Sequence, residues 1–345
     1  MEEFAGAAFA AFEEACARRP VIEECFALAG SSVRVRLAGS ALLAYALPPL
    51  AHRRAGFSSD RTVDLTICAF DSHSTGIAMP RPPWPPTAYT PSSGITGIEG
   101  DRFIAAFNVG TGVLDLLDLG RGAGLHWIAD ARRHPPFDLS SPFRLLFHWW
   151  MRRRGLQFMH GGAVGTKNGA LLIVGKGGSG KSTVALACLS AGMRYLGDDY
   201  VLARASPVPE VSGLYQTAKL NAEDIGGRFP DLATLVHAFT HPPNSGKAIL
   251  LLGERFGAQL VERLPLRAIV VPKVSDCARP SLRPTTERAS LTAVIPSTIR
   301  QLSAALPQDI AILQDLVRGL PAFELDLGAD ILPVPGLVAP LCGGE

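Results

Sequence analysis

The chain has 345 residues, with 33 Lys and Arg against 31 Asp and Glu, a net charge of +2. At 47% hydrophobic and 19% charged residues it holds enough apolar material for a packed core, which excludes a chain disordered throughout. The balanced charge excludes a strongly basic nucleic-acid binder, and the 6 scattered cysteines, none in a C-x-x-C pair, exclude a zinc ribbon or a disulfide framework and fit free thiols in a reducing cytoplasm.

The amino terminus starts acidic, and Glu13 and Glu14 interrupt its apolar run. It reads as an amphipathic helix with Phe4, Phe9 and Phe12 near one face, not as a signal peptide. A helical pattern is expected over residues 1–30, with Pro20 ending the first helix. Val33 to Leu37 alternates as a strand, Ser40 is placed to cap a short helix running to Pro48, and Val63 to Phe70 reads as another strand. Residues 79–96 are dense in proline, which cannot donate a ladder hydrogen bond, and read as a surface loop. Phe103–Phe107, Val113–Leu117 and Leu125–Ile128, split by Gly-rich turns, have the pattern of a β-meander. Residues 1–135 are therefore expected to form an α+β domain on an antiparallel sheet.

After Pro135-Pro136 the character changes. Ser141-Pro142 opens a helix through Trp149 and Trp150 to Arg154, which Gly155 ends. Leu156–Met159, Ala170–Val174, Val201–Ala203, Ala248–Leu252 and Ala268–Val271 read as strands, and 287–304 and 308–318 as helices. This alternation predicts a mixed sheet with flanking helices over residues 136–345. Arg152–Arg154 suits the negative end of its helix dipole, so no nucleic-acid partner is expected. No stretch is apolar enough to span a bilayer, so a soluble cytoplasmic protein without a membrane partner is expected.

The strongest signal is Gly175-Lys176-Gly177-Gly178-Ser179-Gly180-Lys181-Ser182, a complete G-x-x-x-x-G-K-[ST] loop between an apolar strand and a helix. Gly175, Gly177, Gly178 and Gly180 let backbone N–H groups turn inward, beside Ser179, and the helix opening at Lys181-Ser182-Thr183 adds its positive dipole end. Lys181 supplies a mobile charge for β- and γ-phosphates, and Ser182 a hydroxyl for Mg²⁺, which keeps most of its water. Lys176 reads as a solvated side chain. After the helix, Gly192 turns the chain back, so that Asp198-Asp199 returns towards the phosphate site. One carboxylate there suits a metal, directly or through water, and the other suits a proton from an attacking hydroxyl. Both are expected to be ionised at neutral pH, since an unperturbed Asp titrates at about 3.9. His160, at the end of the LQFM strand and before Gly161-Gly162, is by itself a structural histidine. Lys219 is a weaker candidate for a substrate contact. Lys247 and Arg267 read as surface or strand-end charges.

His160-Gly161, the phosphate loop and Asp198-Asp199 together resemble the catalytic core of the HPr kinase/phosphorylase family, and the spacings from His160 to Ser182 and from Ser182 to Asp198 match that pattern without gaps. ATP-dependent phosphoenolpyruvate carboxykinase is a more distant likeness. The resemblance covers residues 156–204. It implies an α/β P-loop kinase domain of HPr kinase type over 136–345, a mixed sheet with flanking helices, preceded by the α+β, antiparallel-sheet domain over 1–135 in a substrate-recognition role. It implies ATP and Mg²⁺, with Mn²⁺ as an alternative ion, and phosphorylation of a serine. Asp198 then corresponds to the proton acceptor and Asp199 to the metal-associated carboxylate. His160 corresponds to a residue assisting the first carboxylate or approaching the metal. Thr183 stands where those enzymes carry Glu, and Val211–Lys219 replaces their second Gly-rich signature. The chain is thus closer to divergent HPr kinase-like proteins, some of them similar to kinases acting on ribosomally made peptides such as lasso-peptide precursors. A peptide or protein acceptor and a homo-oligomer are the implied partners. The alternatives are a small-molecule phosphotransferase or carboxykinase-like enzyme, and a non-catalytic nucleotide-binding regulator.

Overall fold

The computed structural model describes residues 1–56, 61–88, 94–241, 245–299, 302 and 307–343. It divides into two compact units, Met1–Arg153 with Leu302–Ala304, and Arg154–Gln301 with Ala305–Glu345. The division falls after Arg153 and not after residue 135, because the helix ending there packs on the first unit's sheet: Leu146 lies against Gly124. Among the described residues no helix is long and apolar enough to cross a membrane. All six cysteines are free thiols.

The first unit comprises α1 (Glu2–Arg18), β1 (Val21–Leu28), β2 (Ser31–Ala38), α2 (Leu43–Ala46), β3 (Leu65–Asp71), α3 (Ser72–Thr75), β4 (Gly94–Glu99), β5 (Phe103–Asn108), β6 (Val113–Asp118), β7 (Ala123–Ile128) and α4 (Arg144–Arg153). The helical pattern expected to residue 30 stops at Arg18. Ala29 and Gly30 both take positive φ, the turn a tight hairpin needs, and Val21–Leu28 folds back on β2 as a strand. Helix α1 buries Phe4, Ala8, Phe12 and Ala15, a helical-period stripe, and Phe9 is half-buried. The sheet runs β1-β2-β3-β7-β6-β5-β4. It is mixed, not antiparallel as expected, since β3 lies parallel to both β2 and β7. The meander pattern over β5–β7 is antiparallel, but long connections bring β3 beside β2 and β7 in the parallel sense. Of the proline-dense stretch, residues 89–93 lie outside the described residues.

The second unit comprises β8 (Gln157–Thr166), β9 (Gly169–Val174), α5 (Lys181–Ser190), β10 (Arg194–Gly197), β11 (Tyr200–Arg204), β12 (Glu210–Ser212), β13 (Thr217–Asn221), α6 (Ala222–Gly226), β14 (Val236–His241), β15 (Ser245–Leu251), α7 (Gly253–Phe256), β16 (Arg263–Val274), β17 (Ser281–Pro284), α8 (Glu287–Ile299), α9 (Pro307–Arg318), β18 (Ala322–Leu327) and α10 (Val334–Val338). It is a mixed α/β unit with an 8-stranded sheet and a 3-stranded sheet, β13-β15-β14. Strands β8, β9, β16, β12 and β11 pair in a closed circuit. Inside it pack Met159, Ala163, Leu172, Val201, Val211 and Ile269. Helix α5 is apolar on nearly all sides, and Val184, Leu186, Cys188 and Leu189 join a second core with Leu171, Ala218 and Leu250. Of the late helix expected over 287–304, α8 ends at Ile299; residues 300–301 and 303–304 lie outside the described residues.

Candidate functional site

The phosphate loop sits between β9 and α5, as its motif requires. Gly180 is the residue before the helix, at φ +97, and a Cβ there would fall 2.3 Å from Leu327 Cδ1. Only glycine meets both conditions. The first backbone bond of α5 runs from Val184 N–H to the Gly180 carbonyl, so the N–H groups of Lys181, Ser182 and Thr183 have no intrahelical acceptor. No side chain caps this end. The buried Ser179 hydroxyl also lacks a partner. The Lys181 amine folds back onto the loop and donates to the carbonyls of Gly175 at 2.8 Å and Lys176 at 3.1 Å. Burial lowers its pKa, against the pull of Asp198 and Asp199. An amide-lined cradle with unsatisfied donors and a folded-back cation fits a phosphate chain.

His160 lies inside β8, not at a strand end as the sequence suggested. The Gly161-Gly162 pair continues the strand because a neighbouring backbone crowds it: a Cβ on Gly161 would stand 2.6 Å from the Ile173 carbonyl oxygen. His160 pairs with Tyr200 across β8 and β11. The acidic doublet forms the turn between β10 and β11. Asp199 takes φ +72, a left-handed conformation that Asp tolerates, and the Gly161 N–H donates to its carbonyl at 3.1 Å.

The two carboxylates have different surroundings. Asp199 Oδ2 accepts from the Lys219 amine at 2.7 Å, and its Oδ1 lies 3.4 Å from His160 Nε2. Burial raises its pKa, but Lys219 and His160 outweigh burial and hold the carboxyl far below the usual range. Asp198 Oδ2 accepts from the Lys219 N–H at 3.0 Å, while its buried Oδ1 makes no hydrogen bond. Burial, with the charge of Asp199, pushes the Asp198 carboxyl above its ordinary value; the Lys219 N–H, the Ser182 hydroxyl and Lys247 act against that shift. The two carboxylates are therefore unlike: burial moves Asp198 up from the ordinary carboxylate value, and Lys219 and His160 hold Asp199 below it.

Loop and doublet face one cavity of about 340 Å³. Gly177, Gly178, Gly180, Lys181, Ser182 and Thr183 form one wall, and Asp198, Asp199 and His160 another. The small sheet, α6 and the turn after it add Lys219, Asn221, Asp224, Arg228 and Lys247 to the lining. Gly175 and Ser179 line a second, larger cavity of about 1040 Å³ against β16 and α8, and His160, Gly177 and Gly178 belong to both. Every residue expected in the site thus lines one or other cavity. Lys247, which had read as a surface charge, also faces the site, and Arg228 was not foreseen. Arg267 lies elsewhere, its guanidinium against the Asn168 carbonyl. Among the described residues no group of three or more His, Cys, Asp or Glu could hold a metal ion. A Mg²⁺ ion with few protein ligands still fits Ser182 and the Asp199 carboxylate, which Lys219 and His160 hold in its charged form.

No family model matches the chain, and no curated protein does. Among solved structures the chain is similar to the HPr(Ser) kinase/phosphatase from Coxiella burnetii, at 14% identity and a TM-score of 0.30, over 54% of this chain and 93% of that one. At that score the likeness carries no weight beyond itself, and the chemistry rests on the residues above.

Proposed function

We propose that the second unit transfers the γ-phosphoryl group of ATP, with Mg²⁺, to a serine hydroxyl of a peptide or protein. One observation carries the reading: the amide-lined loop and the acidic doublet converge on a single cavity of about 340 Å³. The loop amides and Lys181 would hold the phosphate chain. Ser182 would bind Mg²⁺ directly and Asp199 through water, since both Asp199 oxygens are engaged. The ion, when bound, neutralises charge on the phosphates. The serine oxygen forms a bond to the γ-phosphorus as the bond to the bridging oxygen breaks, ADP leaves with that electron pair, and the hydroxyl proton passes to Asp198. A raised pKa makes Asp198 a stronger base than an ordinary carboxylate, and its unpartnered oxygen is free to accept. His160 positions Asp199.

The test is incubation of the protein with labelled ATP and serine peptides, including ribosomally made precursor peptides, beside Asp198→Asn. Transfer by the wild type, with ATP binding but no transfer by Asp198→Asn, supports the reading. Transfer only to a small molecule overturns the peptide acceptor. Binding without transfer to any acceptor leaves a nucleotide-binding regulator.

A further inference from the structure

Lys181, Lys219, Arg228 and Lys247 all line the smaller cavity. Three of them are already engaged. The Lys181 amine lies on the loop carbonyls, the Lys219 amine on Asp199, and the Arg228 guanidinium 3.6 Å from Asp224. Lys247 differs: its N–H donates to Thr240 Oγ1 at 2.8 Å, but its ammonium has no hydrogen bond or ion pair among the described residues.

Strand geometry fixes where that ammonium is carried. Strands β13 and β15 pair antiparallel, with Asn221 opposite Lys247 and Lys219 opposite Ile249. Side chains alternate across a strand, so Lys219, Asn221 and Lys247 share one face. Ala218, Leu220, Ala248 and Leu250 take the other face and join the core around α5. Directly opposite residues on one face have Cβ atoms about 5 Å apart, and diagonal ones about 7–8 Å. The pairing of β13 with β15 therefore places Lys247 diagonally beside Lys219 on the face that lines the cavity. Its charge is felt by both Asp198 and Lys181.

We propose that Lys247 grips the terminal phosphoryl group of a bound nucleoside triphosphate, so that the site separates triphosphate from diphosphate. The proposal rests on the nucleotide-binding reading of the cavity. A triphosphate brings charge beyond the diphosphate at the end facing the doublet, and the oxygens of the transferred group carry that charge. Lys219 is held by Asp199 and cannot follow the group without abandoning a half-buried carboxylate. Lys247 is a compact charge on a flexible stem with no partner to abandon.

The experiment measures the affinities of ATP, a non-hydrolysable triphosphate analogue and ADP, each with Mg²⁺, for the full chain and for Lys247→Met and Lys247→Arg. Lys247→Met is expected to lose about tenfold or more in affinity for both triphosphates, the scale of a charge-assisted contact, with ADP affinity within about twofold of wild type. Lys247→Arg is expected to recover part of the loss. Equal losses for triphosphate and diphosphate would show only general attraction and overturn the proposal, as would unchanged triphosphate affinity. A wild-type protein that binds neither nucleotide overturns the nucleotide reading and this proposal together.

Discussion

Lys219 serves both members of the acidic doublet, its amine bonding Asp199 at 2.7 Å and its main-chain N–H bonding Asp198 at 3.0 Å. Replacing it by Met leaves the Asp199 charge with His160 alone. The pair is half-buried, so breaking it costs about 1–3 kcal/mol. Because Asp199 titrates well below its unfolded value, its stabilising contribution is complete above the unfolded pKa of about 4 and fades as pH falls further. Urea titrations of Lys219→Met and wild type should differ by a constant amount from pH 5 to 8 and converge in stronger acid.

Asp198 behaves in the opposite sense. Its folded pKa is raised, so the protonated form favours the fold, and that stability is lost as pH rises through the folded value. Asn at this position keeps an acceptor for the Lys219 N–H and removes the charge. Asp198→Asn should therefore melt roughly 2 °C or more above wild type at pH 8 and show no such gain at pH 4. A loss of thermal stability at pH 8 would contradict the burial argument.

Gly161→Ala places a methyl group 2.6 Å from the Ile173 carbonyl, a backbone atom that cannot swing aside. The variant should lose about 2–3 kcal/mol and show reduced soluble expression. Gly162→Ala meets its nearest atom, the Gly197 carbonyl, at 3.2 Å and should lose less. Chemical denaturation of the two variants side by side checks the order.

The first unit carries its own acid sensitivity. Burial lowers His52, His134 and His148 to about 3 each, with nearby Arg53, His126, and Arg152 and Arg144 respectively adding to the effect. A buried neutral histidine is fully compatible with the fold above its unfolded pKa of about 6.5, and costs about 1.4 kcal/mol for each pH unit below it. The stability of this unit should fall steeply between pH 6.5 and 4. His134→Phe, which keeps a ring against Tyr45, should flatten that fall when unfolding is followed by tyrosine and tryptophan fluorescence.

Legibility in the sequence followed the range of each interaction. The phosphate loop was readable because strand, glycines, lysine and helix stand within a short run. The return of Asp198-Asp199 was readable because Gly192 forces the chain back. The β1 strand was missed because apolar spacing in Val21–Leu28 does not separate helix from strand, and the turn at Ala29-Gly30 decides it. The parallel placement of β3 was hidden because no local pattern encodes which distant strand becomes a neighbour. Lys247 and Arg228 were hidden for the same reason: pairing of β13 with β15 places Lys247, and that register is a long-range fact.

Gly161 has a wider consequence. Its amide holds the Asp199 carbonyl, and across the ladder it faces Val174, the residue before the phosphate loop. One peptide unit is thus the joint at which both halves of the chemistry are bolted, and neither half can drift without the other.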